Sequence, residues 1–459
     1  MKWREQAKQR WRERKKRPFS PTQLIALAFL GIIAAGTILL SLPIASRDGQ
    51  SAGLLGALFT ATSATCVTGL SLYDTWSQWS SFGHVVILLM IQVGGLGFMS
   101  AAALVVFVLR RRVGLKQRMV MAQALSLNDM DSVVKIQKMV LVGSFGIEAV
   151  GALILTLRFL PEYGLRQSLI WGVFHSVSAF CNAGFDIFGS LQPGSSLALF
   201  QNDPVVLLTI SGLIIMGGLG FFVWEEIYRL RSWRKCSVYT KLVLIMSAVL
   251  LIGGAGMICL LEWKNPLTLG DMPVWEKLLN GFFQSVTTRT AGFASVDQSG
   301  LTDAGKAVSM ALMLVGGSSG STAGGVKTVT VVVLALFLWN RARGRGTVTI
   351  FRRTIPEAQA LNAMTVCGIV VGLAFFGGIL ICATSPVGFV DSMYESVSAL
   401  ATVGITAGAT GKLSLAAKIL MIIYMYFGRV GVLTISLGFL MGNQVEERFR
   451  YAQTNLLIG

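Results

Sequence analysis

Four short segments of this chain are near copies of one another, and each contains a central glycine. They read TCVTGL, FCNAGF, TRTAGF and LATVGI, at residues 65–70, 180–185, 288–293 and 400–405. Their glycines, which recur about every 110 residues, are Gly69, Gly184, Gly292 and Gly404. Ten positions before each glycine, an aromatic residue begins a short apolar stretch: Phe59, Phe174, Phe282 and Tyr394. This pattern predicts one structural unit repeated four times.

The four segments are candidates for a cation-binding ring. Four copies of one loop in a single chain can surround one axis, and backbone carbonyls on that axis can replace the water around K+. Glycine adopts positive φ without steric penalty, so neighbouring carbonyls can turn towards the axis. The predicted filter, which binds K+ through carbonyls only, consists of Val67, Thr68, Gly69, Asn182, Ala183, Gly184, Thr290, Ala291, Gly292, Thr402, Val403 and Gly404. Only the glycine is common to the four triplets, so we expect an imperfectly symmetric filter with one dominant ion site.

The composition is that of a membrane protein. Of 459 residues, 53% are hydrophobic and only 13% are charged, whereas soluble domains carry about 25% charged residues. Little of the chain is left outside the membrane, which argues against a nucleotide-binding or catalytic domain and against an organic cofactor. The six cysteines lack CxxC spacing and His84 and His175 stand apart, so we expect free buried thiols and packing histidines.

The net charge of +17 is concentrated in alternate loops. Basic residues cluster at 2–17, 110–118, 229–241 and 341–353, and the intervening loops are more balanced. This positive-inside pattern predicts a multi-pass protein of the cell membrane with both termini in the cytoplasm. Topology and contact with membrane lipid therefore explain the charge better than nucleic-acid binding does.

The apolar runs predict an all-α polytopic membrane protein. The eight predicted spans are 24–42, 84–109, 133–157, 205–227, 242–261, 307–339, 363–383 and 415–440. Between the two spans of each unit lies a segment too short to cross a bilayer, which needs about 20 residues, so we interpret it as a re-entrant pore helix. Non-helical backbone at this depth must be buried or line water. We therefore expect four pseudo-symmetric helix–pore loop–helix units, with eight transmembrane helices and four pore helices around one central pore.

The predicted unit boundaries follow the basic loops. The four units are assigned to 21–112, 113–235, 236–345 and 346–445. A basic tail, 1–20, precedes them, and a second tail, 446–459, follows them. Both tails are expected in the cytoplasm, because the orientation rule places basic segments there.

A second glycine cluster lies inside the second helix of each unit. The clusters read GGLGF at 94–98 and 217–221, GGSSG at 316–320 and GRVG at 428–431. In the first two units close helix packing is the favoured explanation. In the third unit residues 316–325 contain five glycines, which cost a helix about 4–5 kcal/mol relative to alanine, so a break facing a cavity is expected. Residues 320–328 nearly spell a phosphate-binding loop, but Val326 interrupts the motif and no strand precedes it.

These motifs in combination resemble a known family. The sequences SVSAFCNAGF (176–185), QSVTTRTAGF (284–293) and GGSSGSTAGGVK (316–327) are similar to the Trk/Ktr/HKT superfamily of cation transporters, and most closely to the membrane subunit of bacterial Ktr systems. The resemblance covers nearly the whole chain. It implies K+ uptake, with residues 316–325 as a gating loop beneath the filter. Some plant relatives carry serine at the first filter glycine and prefer Na+, so Gly69 favours K+ here.

The resemblance also implies partners. A homodimer is expected to dock on a cytosolic ring of nucleotide-binding (ATP/ADP) regulatory subunits. The basic inner loops and residues 341–353 are candidate docking surfaces, and anionic lipid would suit them equally. K+ is the expected transported ion, and the resemblance leaves open whether Na+ activates uptake. Nucleic acid is not an expected partner.

An arginine within an apolar helix is a second candidate for the gate. Arg429 lies where the second unit has Gly218, and an intramembrane arginine is costly and usually functional. We expect Arg429 to donate hydrogen bonds to residues 318–322, to hold that loop across the pore and to repel cations. Lys327 is expected nearer the inner end of its helix. The predicted gate comprises Gly316, Gly317, Ser318, Ser319, Gly320, Ser321, Thr322, Gly324, Gly325, Lys327 and Arg429.

Two other charged residues are harder to assign. Arg289 precedes the third filter triplet, and we expect it either to pair with Glu395 of the next unit or to reach the outer solvent. Glu148, within the third span, has no partner that the sequence identifies.

The alternatives belong to different classes. A Na+-conducting member of the same superfamily remains one. A substrate-coupled secondary transporter would predict inverted repeats and charged midplane residues, whereas these repeats run in one direction. An intramembrane enzyme would need paired Asp, Ser/His or His–metal sets within the spans, which the sequence lacks.

Overall fold

The computed structural model describes residues 21–97, 133–344, 348–351 and 353–431, which are mostly helical. The helices are α1 (Pro21–Ser41), α2 (Gly53–Thr65), α3 (Thr75–Gln78), α4 (Ser81–Leu96), α5 (Val133–Phe180), α6 (Pro204–Leu219), α7 (Phe221–Leu230), α8 (Val238–Glu262), α9 (Val274–Thr287), α10 (Asp303–Leu314), α11 (Thr328–Ala342), α12 (Glu357–Thr384), α13 (Phe389–Leu400) and α14 (Leu415–Val430). Strands β1 (Val348–Ile350) and β2 (Arg353–Ile355) form an antiparallel hairpin in which Val348 pairs with Ile355. The tails at 1–20 and 446–459 and the basic segment at 110–118 lie outside the described residues.

Four helices in the described part of the chain are long and apolar enough to cross a membrane: α1, α5, α8 and α12. Each leads to a short helix that ends at one of the glycine segments, namely α2, the second half of α5, α9 and α13. In α5 the change from long to short helix occurs at Gly164, whose φ of 72° breaks the helical backbone. Three of the four aromatic residues that mark the short helices, Phe59, Phe174 and Tyr394, are buried.

The helices that follow the glycine segments are shorter than the sequence predicts. Helices α4, α6 and α14 were expected to span the membrane as parts of continuous helices, but they end at Leu96, Leu219 and Val430. The next residue in each case is a glycine with φ between 83° and 93°, a conformation that a right-handed helix excludes. At Gly220 the chain turns by 91° into α7, so the predicted span 205–227 is two helices joined at a sharp bend and not one straight helix. The continuations after Gly97 and Gly431 lie outside the described residues.

The helices pack in cyclic order. Helix α4 contacts α5, α6 contacts α9, α10 contacts α13, and α14 contacts α2. Each of these helices thus packs on the short helix of the next repeat, and the fourth returns to the first. This order brings the four glycine segments, which follow the short helices, to a common centre.

Candidate functional site

The four glycine loops, residues 65–70, 180–185, 288–293 and 400–405, share one backbone conformation. In each loop the glycine has φ between 69° and 94°, and the residue two positions before it has φ between 52° and 65°. Those preceding residues are Val67, Asn182, Thr290 and Thr402. Left-handed backbone is rare for β-branched residues and costs Val67, Thr290 and Thr402 on the order of 1–3 kcal/mol each, whereas asparagine adopts it more readily. A conformation that recurs at four matched positions, and is strained at three of them, indicates a functional site.

Hydroxyl side chains hold the loops in this conformation. In the first loop the Thr68 N–H donates to the Ser63 carbonyl at 2.8 Å, and the Gly69 N–H donates to the Ser63 hydroxyl at 3.1 Å. In the second and third loops, the hydroxyls of Ser178 and Thr287 donate to the carbonyls of Phe185 (2.7 Å) and Phe293 (2.6 Å). In the fourth loop, the Gly404 N–H donates to the Ser398 hydroxyl at 3.1 Å. These hydroxyls were not predicted from the sequence, although a serine recurs six residues before the glycine in three of the four repeats.

The four loops face one another in a closed ring. A Cβ built on Gly69 would lie 2.5 Å from the Ala183 carbonyl oxygen of the next loop. A Cβ on Gly184 would lie 2.7 Å from the Ala291 carbonyl oxygen, and one on Gly292 would lie 2.8 Å from that of Val403. A Cβ on Gly404 would lie closer still to the Thr68 carbonyl oxygen, which closes the ring. Only glycine leaves room for these carbonyls. The arrangement brings four carbonyls together, and such a ring can coordinate a dehydrated cation.

On one side of the ring lies an open cavity of about 550 Å³, which we call the vestibule. All four loop glycines line it, together with Asp74, Asp186 and Asp297, and no lysine or arginine is among its lining residues in the described part of the chain. Asp74 accepts hydrogen bonds from the N–H groups of Ser77 at 2.7 Å and Gly194 at 3.0 Å. Three carboxylates at the mouth of the ring attract cations and raise their local concentration.

One vestibule carboxylate titrates near neutral pH. Burial and, to a smaller extent, the negative charge of Asp74 raise the pKa of Asp186 to about 7. A hydrogen bond from the Phe188 N–H, at 3.3 Å, acts in the opposite direction. The negative charge of the vestibule therefore decreases as the pH falls through 7.

On the other side of the ring, residues 316–325 form a non-helical loop between α10 and α11, at the predicted break. Its N–H groups donate to α6, from Ser318 to Gly218 O at 3.1 Å and from Thr322 to Gly217 O at 3.2 Å. The Thr322 hydroxyl donates to the Phe180 carbonyl at 3.2 Å, where the second glycine loop begins. The loop therefore lies against the end of the ring opposite the vestibule.

Two basic residues contact this loop. Arg429 donates to the Thr322 carbonyl in the loop and to the consecutive carbonyls of residues 94 and 95 on α4, the latter at 2.9 Å. Lys327 Nζ donates to the Ala323 carbonyl at 2.7 Å. The Arg429 side chain thus connects the last described helix, the loop and α4 across the space beneath the ring.

The glycine pairs of α4 and α6 have two roles. Gly94 fits closely against the Thr65 carbonyl, and Gly217 fits against the Phe180 carbonyl, in agreement with the close packing expected. Their helices also offer carbonyls to Arg429 and to the loop. This second role was not predicted, because it depends on contacts between distant repeats.

Comparison with known proteins decides the family. A family model described as "TrkH: Cation transport protein" matches residues 7–448. The chain belongs to this TrkH family. It is 38% identical over 453 residues to the potassium/sodium uptake protein NtpJ of Enterococcus hirae, covering 98% of this chain and 99% of that protein. It is also 38% identical over 433 residues to the Ktr system potassium uptake protein B of Bacillus subtilis, covering 94% and 95%.

A solved structure shares the fold of this TrkH-family chain. The potassium transporter TrkH from Vibrio parahaemolyticus superimposes with a TM-score of 0.72, covering 92% of this chain and 85% of that one, at 14% identity. At that identity the likeness concerns the fold alone. The family and these relatives confirm the predicted resemblance and the class of membrane transporter, as opposed to an enzyme.

Arg289 occupies neither of the positions expected for it. It is 7% exposed, and its Nη2 donates to the Ser247 hydroxyl of α8 at 3.3 Å. Glu395 instead accepts hydrogen bonds from the Ala407 N–H at 3.1 Å and the Thr410 hydroxyl at 2.8 Å. Both expectations are wrong, because Glu395 fixes the turn after the fourth loop and the protein interior encloses Arg289. Within the described residues Arg289 forms no ion pair.

Glu148 has a partner in another repeat. The Gln92 side-chain amide of α4 donates to its two carboxylate oxygens at 3.0 and 3.1 Å. The histidines have the packing roles predicted for them, since His84 stacks on Trp76 and His175 on Phe188. These three residues stabilise contacts around the second repeat and lie outside the ring and the loop.

Proposed function

We propose that this chain is the membrane subunit of a K+ uptake system and conducts K+ through a channel-like pore. The observation that carries the proposal is the closed ring, in which the carbonyls of Thr68, Ala183, Ala291 and Val403 each face the glycine of the preceding loop. Such carbonyl dipoles replace the hydration shell of K+. The filter is formed by the twelve residues predicted from the sequence.

The proposed architecture is four helix–pore loop–helix units around one pore, with eight transmembrane helices and four pore helices. Cyclic packing of the helices supports it. The alternation of basic loops supports a cell-membrane location with both termini in the cytoplasm. In that orientation the acidic vestibule faces outside, and the membrane potential contributes about 2.3 kcal/mol per charge per 100 mV to uptake.

The proposed gate is the loop at 316–325. It is supported by the contacts of the loop with α6 and by Arg429, which joins the Thr322 carbonyl to the carbonyls of residues 94 and 95. With Lys327, Arg429 adds positive charge beneath the ring, where it opposes cation entry. Opening requires these contacts to break or to be displaced.

The ion and the partner follow from the relatives. One relative is named a potassium/sodium uptake protein and another a Ktr system component, so we propose K+ as cargo, Na+ as an activator, and Na+ conduction as the second candidate function. The "system" in the relative's name supports separate subunits. We propose a homodimer on a cytosolic ring of nucleotide-binding subunits, which dock at the basic segment 341–353.

Growth of a bacterium that lacks its K+ uptake systems tests this function. Co-expression of the chain with the regulatory subunit encoded by its source is expected to restore growth at limiting K+. Growth restored only when Na+ is also present supports the Na+ activation. Absence of rescue despite normal membrane expression contradicts K+ uptake, and Na+ accumulation without K+ accumulation supports the second candidate.

The titration of Asp186 predicts a pH effect on uptake. Between pH 8 and pH 6 the Asp186 carboxylate, whose pKa is about 7, gains a proton, so the vestibule attracts K+ less strongly. Uptake at subsaturating K+ is expected to fall about twofold, the effect of one unit charge some 10 Å away in water. Asp186→Asn should remove this pH dependence, whereas Asp297→Asn, which keeps Asp186, should retain it. A pH dependence that survives in Asp186→Asn contradicts the assignment.

A further inference from the structure

The proposed gating loop is attached to a second segment besides Arg429. This segment, which we call the elbow, comprises residues 221–240 and follows the 91° turn at Gly220. The Phe221 N–H donates to the Gly320 carbonyl at 2.9 Å, and the Tyr239 hydroxyl donates to the Ser319 carbonyl at 2.9 Å. Two consecutive carbonyls of the loop are thus held by the two ends of the elbow.

Gly220 lets the loop approach the elbow this closely. A Cβ at Gly220 would lie 3.0 Å from the Ser319 carbonyl oxygen and closer still to the Ser318 hydroxyl. Its φ of 89° also directs the chain away from the axis of α6. The turn therefore brings α7 and the loop into direct contact, in a way that a continuous helix could not.

The elbow is internally fixed. On α7, the Glu226 carboxylate accepts hydrogen bonds from the Ser237 N–H and the Ser237 hydroxyl, both at 2.7 Å, and from the Thr240 hydroxyl. Ser237 and Thr240 flank Tyr239 in the first turn of α8. Glu226 therefore ties α7 to the turn that carries Tyr239, and a displacement of α7 is passed to Tyr239.

The elbow is also accessible from outside the molecule. Tyr228 on α7 is 73% exposed and Trp233 is 51% exposed. The elbow follows the far end of α6, which begins a few residues after Ala198 of the vestibule lining and whose 16 residues extend about 24 Å. It therefore lies on the face opposite the vestibule.

We propose that Tyr239 is a positioning residue for the gating loop, and that the elbow conveys movement of α7 to the Ser319–Gly320 peptide. The proposal rests on the proposed gate and adds a route of control to it. The Tyr239 hydroxyl and the Phe221 N–H stabilise the loop in the arrangement described here. When α7 moves, both donors leave the loop together, and the carbonyls of Ser319 and Gly320 lose the contacts that hold them.

The decisive variant is Tyr239→Phe, which keeps the ring and removes only the hydroxyl donor. Purified protein without any regulatory subunit is reconstituted into liposomes, and the uptake of radioactive Rb+ driven by a K+ gradient is measured. Tyr239→Phe is expected to raise this uptake about 2- to 10-fold, the factor expected from the loss of one neutral hydrogen bond. Competition by K+ and by Na+ should be unchanged, because the ring is not altered.

Two further variants accompany Tyr239→Phe, one as a control and one as a second test. Tyr228→Phe removes a tyrosine hydroxyl from the exposed face of the same elbow and should leave uptake at the wild-type level. Glu226→Gln keeps the side-chain shape but weakens the tie between α7 and α8, and should raise uptake in the same direction as Tyr239→Phe. Thermal unfolding is followed for each variant, so that general loss of structure is recognised by a lower midpoint together with reduced uptake.

The outcomes separate the inference from the proposed gate on which it rests. If Arg429→Ala raises uptake and Tyr239→Phe does not, the gate stands and the role of Tyr239 is overturned. If neither variant raises uptake, the gate itself fails. If Tyr239→Phe lowers the unfolding midpoint or changes ion competition without raising uptake, Tyr239 has only a structural role and the inference is also overturned.

Discussion

Alanine at position 404 is expected to abolish most K+ uptake. Gly404 has φ of 94°, and its missing Cβ leaves the space that the Thr68 carbonyl occupies. A Cβ there must displace that carbonyl from the ring, in addition to the strain of about 1–2 kcal/mol that an L-residue bears in left-handed backbone. We expect Rb+ uptake into liposomes to fall at least about tenfold, since each 1.4 kcal/mol at the transport barrier changes a rate tenfold.

Gly408→Ala is the matched control for this variant. Gly408 lies four residues further on, also has positive φ, at 79°, and has open space where its Cβ would stand, with only the Ser299 side chain 3.8 Å away. It therefore reproduces the backbone strain without displacing a ring carbonyl. Equal losses of uptake in Gly404→Ala and Gly408→Ala, with equal amounts of folded protein, would contradict the coordinating role of the ring.

Removal of the Arg429 side chain is expected to have the opposite effect. Arg429→Ala deletes the charged hydrogen bonds to the Thr322 carbonyl and to the carbonyls of residues 94 and 95. Hydrogen bonds to a charged group contribute about 1.5–3 kcal/mol each, so loss of even one should raise uptake without the regulatory subunit about tenfold or more. Arg429→Lys keeps the charge but lacks the planar fork that joins separate carbonyls, and we expect an intermediate increase.

Lys418→Ala is a suitable control, because it removes a positive charge from the first turn of the same helix, α14, about 16 Å along the helix axis from Arg429. It should leave uptake unchanged. An Arg429→Ala protein that is expressed normally and transports at the wild-type rate would show that Arg429 does not hold a closed gate. The closed loop would then depend on its contacts with α6 and with the elbow.

The sequence was sufficient to predict the features that depend on local chemistry. Positive φ was expected at the four loop glycines, because glycine alone adopts it freely, and all four have it. The helix break at 316–325 followed from the helix propensity of five glycines in ten residues. The contact between Arg429 and the loop followed from the cost of an unpaired arginine among apolar residues.

Features that depend on contacts between repeats were not predictable. The third glycine of the cluster at 217–221 was interpreted as a packing residue, yet Gly220 turns the chain by 91° and lies against the loop of another repeat. Arg289 was expected either to pair with Glu395 or to reach the outer solvent, whereas the fold offers it the hydroxyl of Ser247. Sequence spacing gives the face of a helix, but not which distant element lies against that face.

Anomalous diffraction from crystals grown with Tl+ in place of K+ tests the central claim most directly. The account predicts a Tl+ peak on the axis of the ring, coordinated by the carbonyls of Thr68, Ala183, Ala291 and Val403. The peak should weaken when K+ is added and should persist when Na+ is added at the same concentration. Tl+ bound elsewhere in the protein with no peak at the ring, or a peak that Na+ displaces as readily as K+, would contradict a K+-selective carbonyl filter.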